Sequence, residues 1–434
     1  MDGMRAAFHT LGCKVNQCDT QAMMESFLRA GHEIVSFDAE ADCYIINTCT
    51  VTAMSDRKSR QMVARAHAKN PSAVIVVAGC LAQSDAEAAL ALPGVQLVIG
   101  NAERGRIVEL VEQTRQEEST LNAVMPFEAS CAFEELPIHA EERTRAMLKI
   151  QEGCNRYCSY CIIPYARGPL RSRSLLDIVR ETTRLTRQGF CEFVLTGIHL
   201  SSYSGEGGAK LQDVILAMSK IEGVRRIRLG SLEPASITRE FVDFAAKTPT
   251  LCRQFHVSMQ SGSTTVLQRM NRRYTAQQYA ENVDYLRKTI PGVALTTDVI
   301  VGFPGETEEE FAESLAFVEA QAFSRIHVFP FSPRKGTPAA MMKDQCSKEI
   351  KSRRAGQMIA LGETLSLQYR RALLGSVQEV LFEKQTPHGA QGWTDTYVQV
   401  HVEQDIPANT LHTVRLLALD NEGMRGELCS MENL

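Results

Sequence analysis

The sequence predicts an α/β protein in three parts: an N-terminal open parallel α/β sheet, a central partial (β/α)6 barrel and a C-terminal small β-barrel. Apolar runs alternate with helical stretches over residues 4–115 and again over 144–335, which is typical of parallel sheets covered by helices. After Gly375 the pattern changes to short alternating runs joined by Gly-, Pro- and Asn-containing turns, which indicates a small barrel. The predicted divisions are residues 1–115, a linker at 116–143, 144–347, a helical connector at 348–371, and 372–434.

The N-terminal part contains four apolar runs that are short enough to be strands. Helical periodicity separates them, so a parallel sheet is expected. The strands are predicted at 4–10, 43–47, 73–78 and 96–99, and the helices at about 19–30, 54–69, 84–91 and 103–114. The residues that follow, up to 143, are acidic and irregular, which is typical of a linker.

The central part repeats the strand–helix alternation six times. A complete eight-unit barrel needs more residues than this segment has, so we expect a barrel that closes only part-way. The strands are predicted at 146–151, 191–196, 227–230, 254–259, 295–301 and 325–329, with helices at about 174–188, 209–221, 236–247, 275–289 and 306–321.

The C-terminal part has four predicted strands, at 377–382, 396–402, 413–418 and 425–428. From Ser366 to Leu434 there are five Lys/Arg and nine Asp/Glu residues, so this barrel is a poor generic binder of phosphate. If it contacts RNA, we expect shape recognition or base stacking on Trp393 and Tyr397, although Trp393 is equally suited to a core position.

Composition excludes several classes of protein. No stretch approaches the roughly 20 apolar residues of a membrane span, and the N-terminus lacks a signal-peptide core, so a cytoplasmic protein is expected. The net charge of −4 argues against electrostatic binding of nucleic acid by the whole molecule. Basic residues are nevertheless grouped, and groups lying on one side of a domain would form an RNA path. These groups are Arg167, Arg171 and Arg173; Arg225, Arg226 and Arg228; Arg269, Arg272 and Arg273; and Lys351, Arg353, Arg354, Arg370 and Arg371.

Three cysteines stand close together after the first strand of the central part. Cys154, Cys158 and Cys161 are separated by three and then two residues, and Gly153 opens the turn before them. A cluster of four irons takes one thiolate per iron, so three thiolates leave one iron free to bind a small molecule. This spacing predicts a reactive [4Fe–4S] cluster. A zinc knuckle and a redox disulfide are the alternatives, but zinc usually takes four local ligands, and no fourth is nearby.

A second set of three cysteines lies in matching positions of the N-terminal part. Cys13, Cys49 and Cys80 each follow one of the first three predicted strands. Loops at the carboxyl ends of parallel strands converge on one crevice, so these thiols are expected to hold a second cluster. The alternative is three unrelated small buried residues, since free cysteine is often only a small hydrophobe. Cys18 stands five residues after Cys13 and could compete with it as a ligand.

The motif of Cys154, Cys158 and Cys161 resembles that of the radical S-adenosylmethionine (SAM) superfamily. The resemblance implies that the free iron chelates SAM and that the reduced cluster cleaves SAM to a 5′-deoxyadenosyl radical. It also implies where SAM is held: Tyr160 beside the adenine, and Thr196, Gly197, Glu233, Gln260 and Gly302 at strand ends. The turn from Asp298 to Thr307 is a strong signature of the family, and Thr307 suits a helix start. Arg334 is a further candidate, for contact with an anionic group of the substrate.

Two open clusters joined to a small β-barrel resemble the methylthiotransferases over nearly the whole chain. In that family a methylthiotransferase domain, a radical-SAM domain and a TRAM-type RNA-binding barrel follow one another. The run Thr10–Gln17 (TLGCKVNQ) resembles the branch that acts on N6-threonylcarbamoyladenosine (t6A) in tRNA. That branch usually has an aromatic residue where this chain has Cys18.

The resemblance implies an enzyme with two [4Fe–4S] clusters and SAM as cofactors. Its expected partner is a tRNA whose anticodon loop has adenosine 36 followed by t6A at position 37, and the product is 2-methylthio-N6-threonylcarbamoyladenosine. A flavodoxin- or ferredoxin-type electron donor is expected, and the sulfur donor is not identified by the sequence. The alternatives are the same reaction on isopentenyladenosine tRNA or a ribosomal-protein aspartate, a non-catalytic iron–sulfur RNA-binding regulator, and a cluster-assembly scaffold.

Overall fold

The computed structural model of the chain describes residues 3–128, 131–138 and 144–429. Within these ranges no helix combines the length and apolar character that crossing a membrane requires.

The N-terminal domain is a six-stranded parallel sheet with the strand order β2-β1-β3-β4-β5-β6. Strands β3 and β4 are buried at every position, as expected for a parallel sheet covered on both faces. Its elements are β1 (Arg5–Thr10), α1 (Lys14–Arg29), β2 (Glu33–Val35), β3 (Cys43–Thr48), α2 (Ala53–Lys69), β4 (Val74–Gly79), α3 (Cys80–Ser84), α4 (Ala86–Leu90), β5 (Val95–Ile99), α5 (Ile107–Glu117) and β6 (Leu121–Asn122).

The four predicted strands of this domain are confirmed as β1, β3, β4 and β5. The sequence did not reveal β2 and β6, which are edge strands of three and two residues and are too short to show an alternation. Strand β6 pairs with β5 and lies in the segment predicted to be an irregular linker. The remainder of that segment includes residues 129–130 and 139–143, which lie outside the described residues.

The central domain contains the six predicted βα units. It has two four-stranded sheets, β10-β9-β7-β8 and β11-β12-β13-β14. Its elements are β7 (Arg145–Glu152), α6 (Ile163–Arg167), β8 (Arg171–Ser172), α7 (Leu175–Arg187), β9 (Glu192–Gly197), α8 (Leu211–Ser219), β10 (Arg226–Leu229), β11 (Ser231–Leu232), α9 (Arg239–Ala246), β12 (Gln254–Val257), α10 (Thr264–Arg269), α11 (Ala276–Thr289), β13 (Ala294–Val301), α12 (Glu308–Gln321), β14 (Arg325–Pro330) and α13 (Pro338–Met341).

Gly230 joins the two sheets of the central domain. It is the single residue between β10, which pairs with β9, and β11, which pairs with β12. A Cβ atom at Gly230 would lie 3.1 Å from the carbonyl oxygen of Leu195, so a larger residue would crowd this crossing. The parallel strands therefore form one arc, a partial barrel whose carboxyl ends face the same side.

The C-terminal part is a long helix followed by a closed five-stranded barrel with the strand order β15-β16-β17-β19-β18. The sequence did not predict β16, whose residues GAQGWT show no apolar alternation. The glycine at position 392 has a steric reason, because a Cβ atom there would lie 2.4 Å from the carbonyl oxygen of Leu381. The elements are α14 (Lys348–Ala372), β15 (Val377–Thr386), β16 (Gly389–Thr394), β17 (Gln399–Val402), β18 (Thr410–Asp420) and β19 (Gly423–Leu428).

The small barrel is attached to the central domain through arginine side chains. Arg228 is buried, donates to the carbonyl oxygens of Asp395 (2.9 Å) and Thr394 (3.2 Å), and lies over the ring of Tyr397. The carboxylates of the barrel serve the same interface. Glu379 pairs with Arg226, and Asp395 pairs with Arg253 at 2.7 Å.

This interface bears on two expectations from the sequence. Arg226 and Arg228 do not form an RNA path, because both side chains are buried between domains, whereas Arg225 of the same group is exposed. Trp393 and Tyr397 stack on each other at 4.8 Å, and Arg145 lies over both rings, so both rings have partners at the interface, while Tyr397 also lines a cavity at the carboxyl ends of the central strands. Two carboxylates of the small barrel, Glu379 and Asp395, therefore pair with arginines of the central domain.

Candidate active site

The loop that carries the three central cysteines follows β7 directly. Gly153 has a positive φ of 75°, and a Cβ there would lie 1.8 Å from the carbonyl oxygen of Pro169, so this turn requires glycine. The amide of Cys161 donates to the carbonyl oxygen of Cys158 at 2.9 Å, which keeps the loop tight. Burial raises the pKa of Cys161 to about 12 and also raises the pKa of Cys154. Binding of iron would therefore displace protons from thiols that are otherwise neutral.

A cavity of about 740 Å³ lies at the carboxyl ends of the central strands. This volume suits a nucleotide-sized ligand. Cys13 of the N-terminal domain lines it together with all three cysteines of the central loop. Of the other residues predicted to contact a cofactor, five line the cavity: Tyr160, Thr196, Gly197, Glu233 and Gln260.

The N-terminal cysteines lie at the ends of three neighbouring strands. Cys13 is the residue directly before α1 and is exposed, whereas Cys49 and Cys80 are buried. Gly12 lies between two of them. A Cβ on Gly12 would be 2.9 Å from the sulfur of Cys49, so glycine is needed for the close approach of these two loops. The sulfur of Cys18 instead points to the carbonyl oxygen of Met147 at 3.6 Å, and burial raises its pKa to about 12. Cys18 is thus a core thiol in this structure.

Cys80 has a buried cationic neighbour from the other domain. The Nε of Arg167 lies 3.2 Å from the sulfur of Cys80. Arg167 is fully buried, and it ends the short helix that follows the central cysteine loop. Asn101 also donates toward this sulfur at 3.8 Å. Two hydrogen-bond donors therefore face the position of a Cys80 thiolate.

Arg167 belongs to a buried network of charges between the N-terminal and central domains. Its guanidinium bonds to the carboxylates of Asp19 (2.8 Å) and Glu152 (2.9 Å). Arg104 and Lys149 pair with the same two carboxylates. Burial by itself opposes ionisation of Asp19 and Glu152, but the surrounding cations outweigh it and lower both pKa values. Both acids are therefore ionised at neutral pH.

Arg272 is a site residue that the sequence did not reveal. It lines the cavity, and its NH1 lies 3.3 Å from the sulfur of Cys158. Tyr274 and the carbonyl oxygen of Ser258 hold the guanidinium in place. The only local signal was the basic run that includes Arg273, which does not distinguish a buried arginine from an exposed one.

Glu233 is at the centre of a second polar group in the cavity. Its carboxylate pairs with Arg156 at 2.7 Å and with the Nε2 of His199 at 2.9 Å. Burial opposes ionisation of Glu233, but His199, Arg156 and Arg272 lower its pKa. The carboxylate is charged and fixed, which makes it suitable for holding a ligand's amino or hydroxyl groups.

Gln260 has an unusual backbone conformation. Its φ of 72° is in the left-handed region, which few non-glycine residues adopt. Its backbone is held by β13, because its amide donates to Asp298 and its carbonyl oxygen accepts from Ile300. The strand therefore imposes the conformation that directs this residue toward the cavity.

Two predicted site residues do not line the cavity. Gly302 forms the turn before α12, where its amide donates to Glu306 and a Cβ would lie 2.3 Å from Lys351. Arg334 is paired with Asp56 and donates to Thr50 at 2.8 Å, so its anionic partner lies within the chain. Only the helix start predicted at Thr307 is found in this region as expected, since Thr307 caps α12.

Two family models match the chain. Residues 5–100 match the family described as "Uncharacterized protein family UPF0004", and residues 148–318 match the Radical SAM superfamily. The threonylcarbamoyladenosine tRNA methylthiotransferase MtaB of Bacillus subtilis (strain 168) is 43% identical over 406 residues, which cover 91% of this chain and 89% of the relative. This chain belongs to the radical-SAM methylthiotransferases.

Relatives of this methylthiotransferase carry two different names. The protein of Thermotoga maritima with the same name as the Bacillus protein is 34% identical, with coverage of 96% of this chain and 95% of that one. A tRNA-2-methylthio-N(6)-dimethylallyladenosine synthase of Thermodesulfovibrio yellowstonii is 32% identical, covering 99% of this chain and all of that one. Among solved structures, the radical S-adenosylmethionine methyltransferase TsrM of Kitasatospora setae has a TM-score of 0.59 and 15% identity, covering 78% of this chain and 77% of that one, which shows a shared fold.

Radical-SAM proteins use SAM and a [4Fe–4S] cluster, and the residues of this methylthiotransferase fit both. Three thiols, an arginine directed at one of them and an adjoining cavity suit a cluster with a bound nucleoside. Within the described ranges, no three His, Cys, Asp or Glu side chains are arranged to hold a single metal ion.

Proposed function

We propose that this methylthiotransferase acts on tRNA, converting t6A at position 37 to 2-methylthio-N6-threonylcarbamoyladenosine. The observation that carries the proposal is that Cys13 and the three central cysteines line the same cavity. A sulfur-handling group and a radical-generating group must both reach carbon 2 of one adenine, and a shared cavity permits this. The two most similar relatives described above are named for threonylcarbamoyladenosine.

The cofactors of this proposal are SAM and two [4Fe–4S] clusters. Cys154, Cys158 and Cys161 would hold the cluster that binds SAM, and Cys13, Cys49 and Cys80 would hold an auxiliary cluster. When bound, these groups supply the hydrogen-abstracting radical and the sulfur that is methylated and transferred. A flavodoxin- or ferredoxin-type protein would supply electrons, and the sulfur donor is left open.

The residues of the chain position and shield this chemistry. Arg272 and Arg167 direct positive charge at one cysteine of each set, at 3.3 and 3.2 Å from the sulfur. Glu233 is held by Arg156 and His199 where it can accept from the amino or hydroxyl groups of SAM. Tyr160, packed with Phe303 and Met270, presents an apolar face to the cavity that suits a purine.

The test is nucleoside analysis of tRNA from a bacterial strain that lacks its own t6A methylthiotransferase. Expression of this chain should convert most t6A in the susceptible tRNAs to its 2-methylthio form, and Cys158→Ala should abolish the conversion. Unchanged t6A with a cluster-loaded protein would contradict the proposal.

The nearest alternative substrate is isopentenyladenosine, since relatives at 32% identity are named for dimethylallyladenosine. A methylthio group on that nucleoside alone would establish this alternative. A non-catalytic iron–sulfur RNA-binding regulator would show no cleavage of SAM. A purified protein that releases 5′-deoxyadenosine from SAM under reducing conditions excludes that class.

A further inference from the structure

Two cations that line the cavity have no side-chain partner within the described part of the chain. Six residues with formal charge line it: the cations Lys14, Arg156, Arg272 and Arg325, and the carboxylates Glu233 and Asp298. Arg156 is paired with Glu233, and Arg272 is held by Cys158 and Tyr274. Among the residues that the structure describes, neither Lys14 nor Arg325 has a side-chain hydrogen bond or an ion pair, and both are exposed. The cavity therefore has positive charge available for an anionic ligand.

Lys14 and Arg325 belong to different domains, but the charges of both lower the pKa of the same histidine, His327. Lys14 is the first residue of α1, directly after Cys13, and Arg325 begins β14. His327 lies two residues along β14 and so faces the same side as Arg325. Burial lowers the pKa of His327, and the charges of His256, Arg325 and Lys14 add to that effect while Asp298 opposes it. Lys14 and Arg325 are thus both within electrostatic reach of one point in the cavity.

We propose that Lys14 and Arg325 bind the carboxylate of the threonyl group and so select t6A over other modified adenosines. This inference rests on the proposed function. The threonylcarbamoyl group carries a carboxylate, whereas an isopentenyl group is uncharged and apolar. The carboxylate of t6A gains an ion pair with these cations, whereas an uncharged analogue gains none, so the contact favours t6A. The position of Lys14 beside Cys13 places this contact next to the cysteine set proposed to handle sulfur.

The experiment compares anticodon stem-loop RNAs that differ only at position 37. They carry t6A, the neutral amide of t6A, isopentenyladenosine or unmodified adenosine. Binding to the cluster-loaded protein is followed by fluorescence anisotropy for the wild type, Lys14→Met, Arg325→Met and the conservative Lys14→Arg. The exposed Lys220, which does not line the cavity, gives the matched control Lys220→Met.

The wild type should bind the t6A RNA at least about tenfold more tightly than the amide RNA, which corresponds to about 1.4 kcal/mol. Lys14→Met and Arg325→Met should each lose most of that preference without weaker binding of the amide RNA. Lys14→Arg and Lys220→Met should retain it. Iron content and thermal unfolding, measured on every variant, show that the protein is intact.

Equal weakening of all four RNAs would mean that these cations contact phosphates, and the inference would be wrong. A wild type that methylthiolates t6A but binds its amide equally well would also overturn the inference while leaving the proposed function intact. A wild type that does not modify t6A at all would overturn the proposed function first.

Discussion

The Nε of Arg167 lies 3.2 Å from the sulfur of Cys80, although the two residues belong to different domains. Arg167 follows the central cysteine loop, and Cys80 belongs to the N-terminal set, so a residue close in sequence to one candidate cluster site contacts a cysteine of the other. The same side chain neutralises Asp19 and Glu152 in the buried interface. Breaking this relationship should therefore affect both the domain interface and the auxiliary site.

Replacing Arg167 by Ala should destabilise the protein by about 3–5 kcal/mol, because it leaves buried carboxylates short of a partner. Urea unfolding monitored by circular dichroism measures this change. The matched control is Arg106→Ala, since Arg106 also pairs with two carboxylates but on the surface. The control should show no measurable change. A stable Arg167→Ala protein would mean that the network contributes little to folding.

Removal of either cysteine set should halve the iron content. Anaerobically reconstituted wild type should contain about eight irons, and the triple Cys→Ala variant at 154, 158 and 161 about four. The triple variant at 13, 49 and 80 should also retain about four. Iron and sulfide analysis measures this. A wild type with about four irons that fall to none in the first variant would leave the N-terminal cysteines without a cluster.

Two variants at Gln260 should separate strain from ligand contact. Gln260→Gly relieves the positive φ, whereas Gln260→Ala keeps it, so the Ala variant should be less stable by about 1 kcal/mol. Both variants remove the amide side chain that lines the cavity, so both should bind SAM more weakly, as measured by equilibrium dialysis. Equal stability of the Gly and Ala variants would show that the strand does not hold Gln260 in a strained conformation.

Arg228→Ala should loosen the C-terminal barrel. Its guanidinium contacts two barrel carbonyls, the ring of Tyr397 and Glu192. Hydrogen–deuterium exchange in residues 377–428 should rise in the variant, while exchange in the N-terminal sheet stays unchanged. Lys384→Ala, at an exposed position on the barrel itself, should leave both regions as in the wild type. Unchanged exchange in Arg228→Ala would show that other contacts are enough to hold the barrel against the central domain.

The Asp19–Glu152 network should make stability depend on acid pH. Both carboxyls have lowered pKa values in the folded protein, so their contribution is fully present above the unfolded-state values near 4. It is lost as the pH falls below those values toward the folded-state pKa. The difference in thermal unfolding temperature between wild type and Asp19→Asn should therefore shrink from pH 7 to pH 3. As a control, Glu222→Gln, at an exposed position, should have the unfolding temperature of the wild type at every pH. A difference between wild type and Asp19→Asn that stays constant from pH 7 to pH 3 would contradict a lowered pKa of Asp19.

The sequence predicted the strands well because their signals are local. Apolar runs in β3 and β4 mark buried strands, and the spacing of three thiols within eight residues predicts a ligand set before any packing is known. It predicted less well where a residue's role depends on a distant partner. Arg334 and Gly302 were expected to contact a cofactor or substrate, and the structure instead places them against Asp56 and Lys351.

The sequence by itself determined the order of the parts, the strand–helix rhythm and the two cysteine sets, since each is encoded within a short stretch of chain. Only the tertiary structure decided that the central loop and Cys13 face one cavity, that Arg167 reaches Cys80 across 87 positions, and that Lys14 and Arg325 have no side-chain partner among residues 3–128, 131–138 and 144–429. The reason is physical, because burial and charge pairing depend on which surfaces of the folded chain meet. The local sequence around an arginine does not show whether its side chain is buried against a carboxylate or free to bind one.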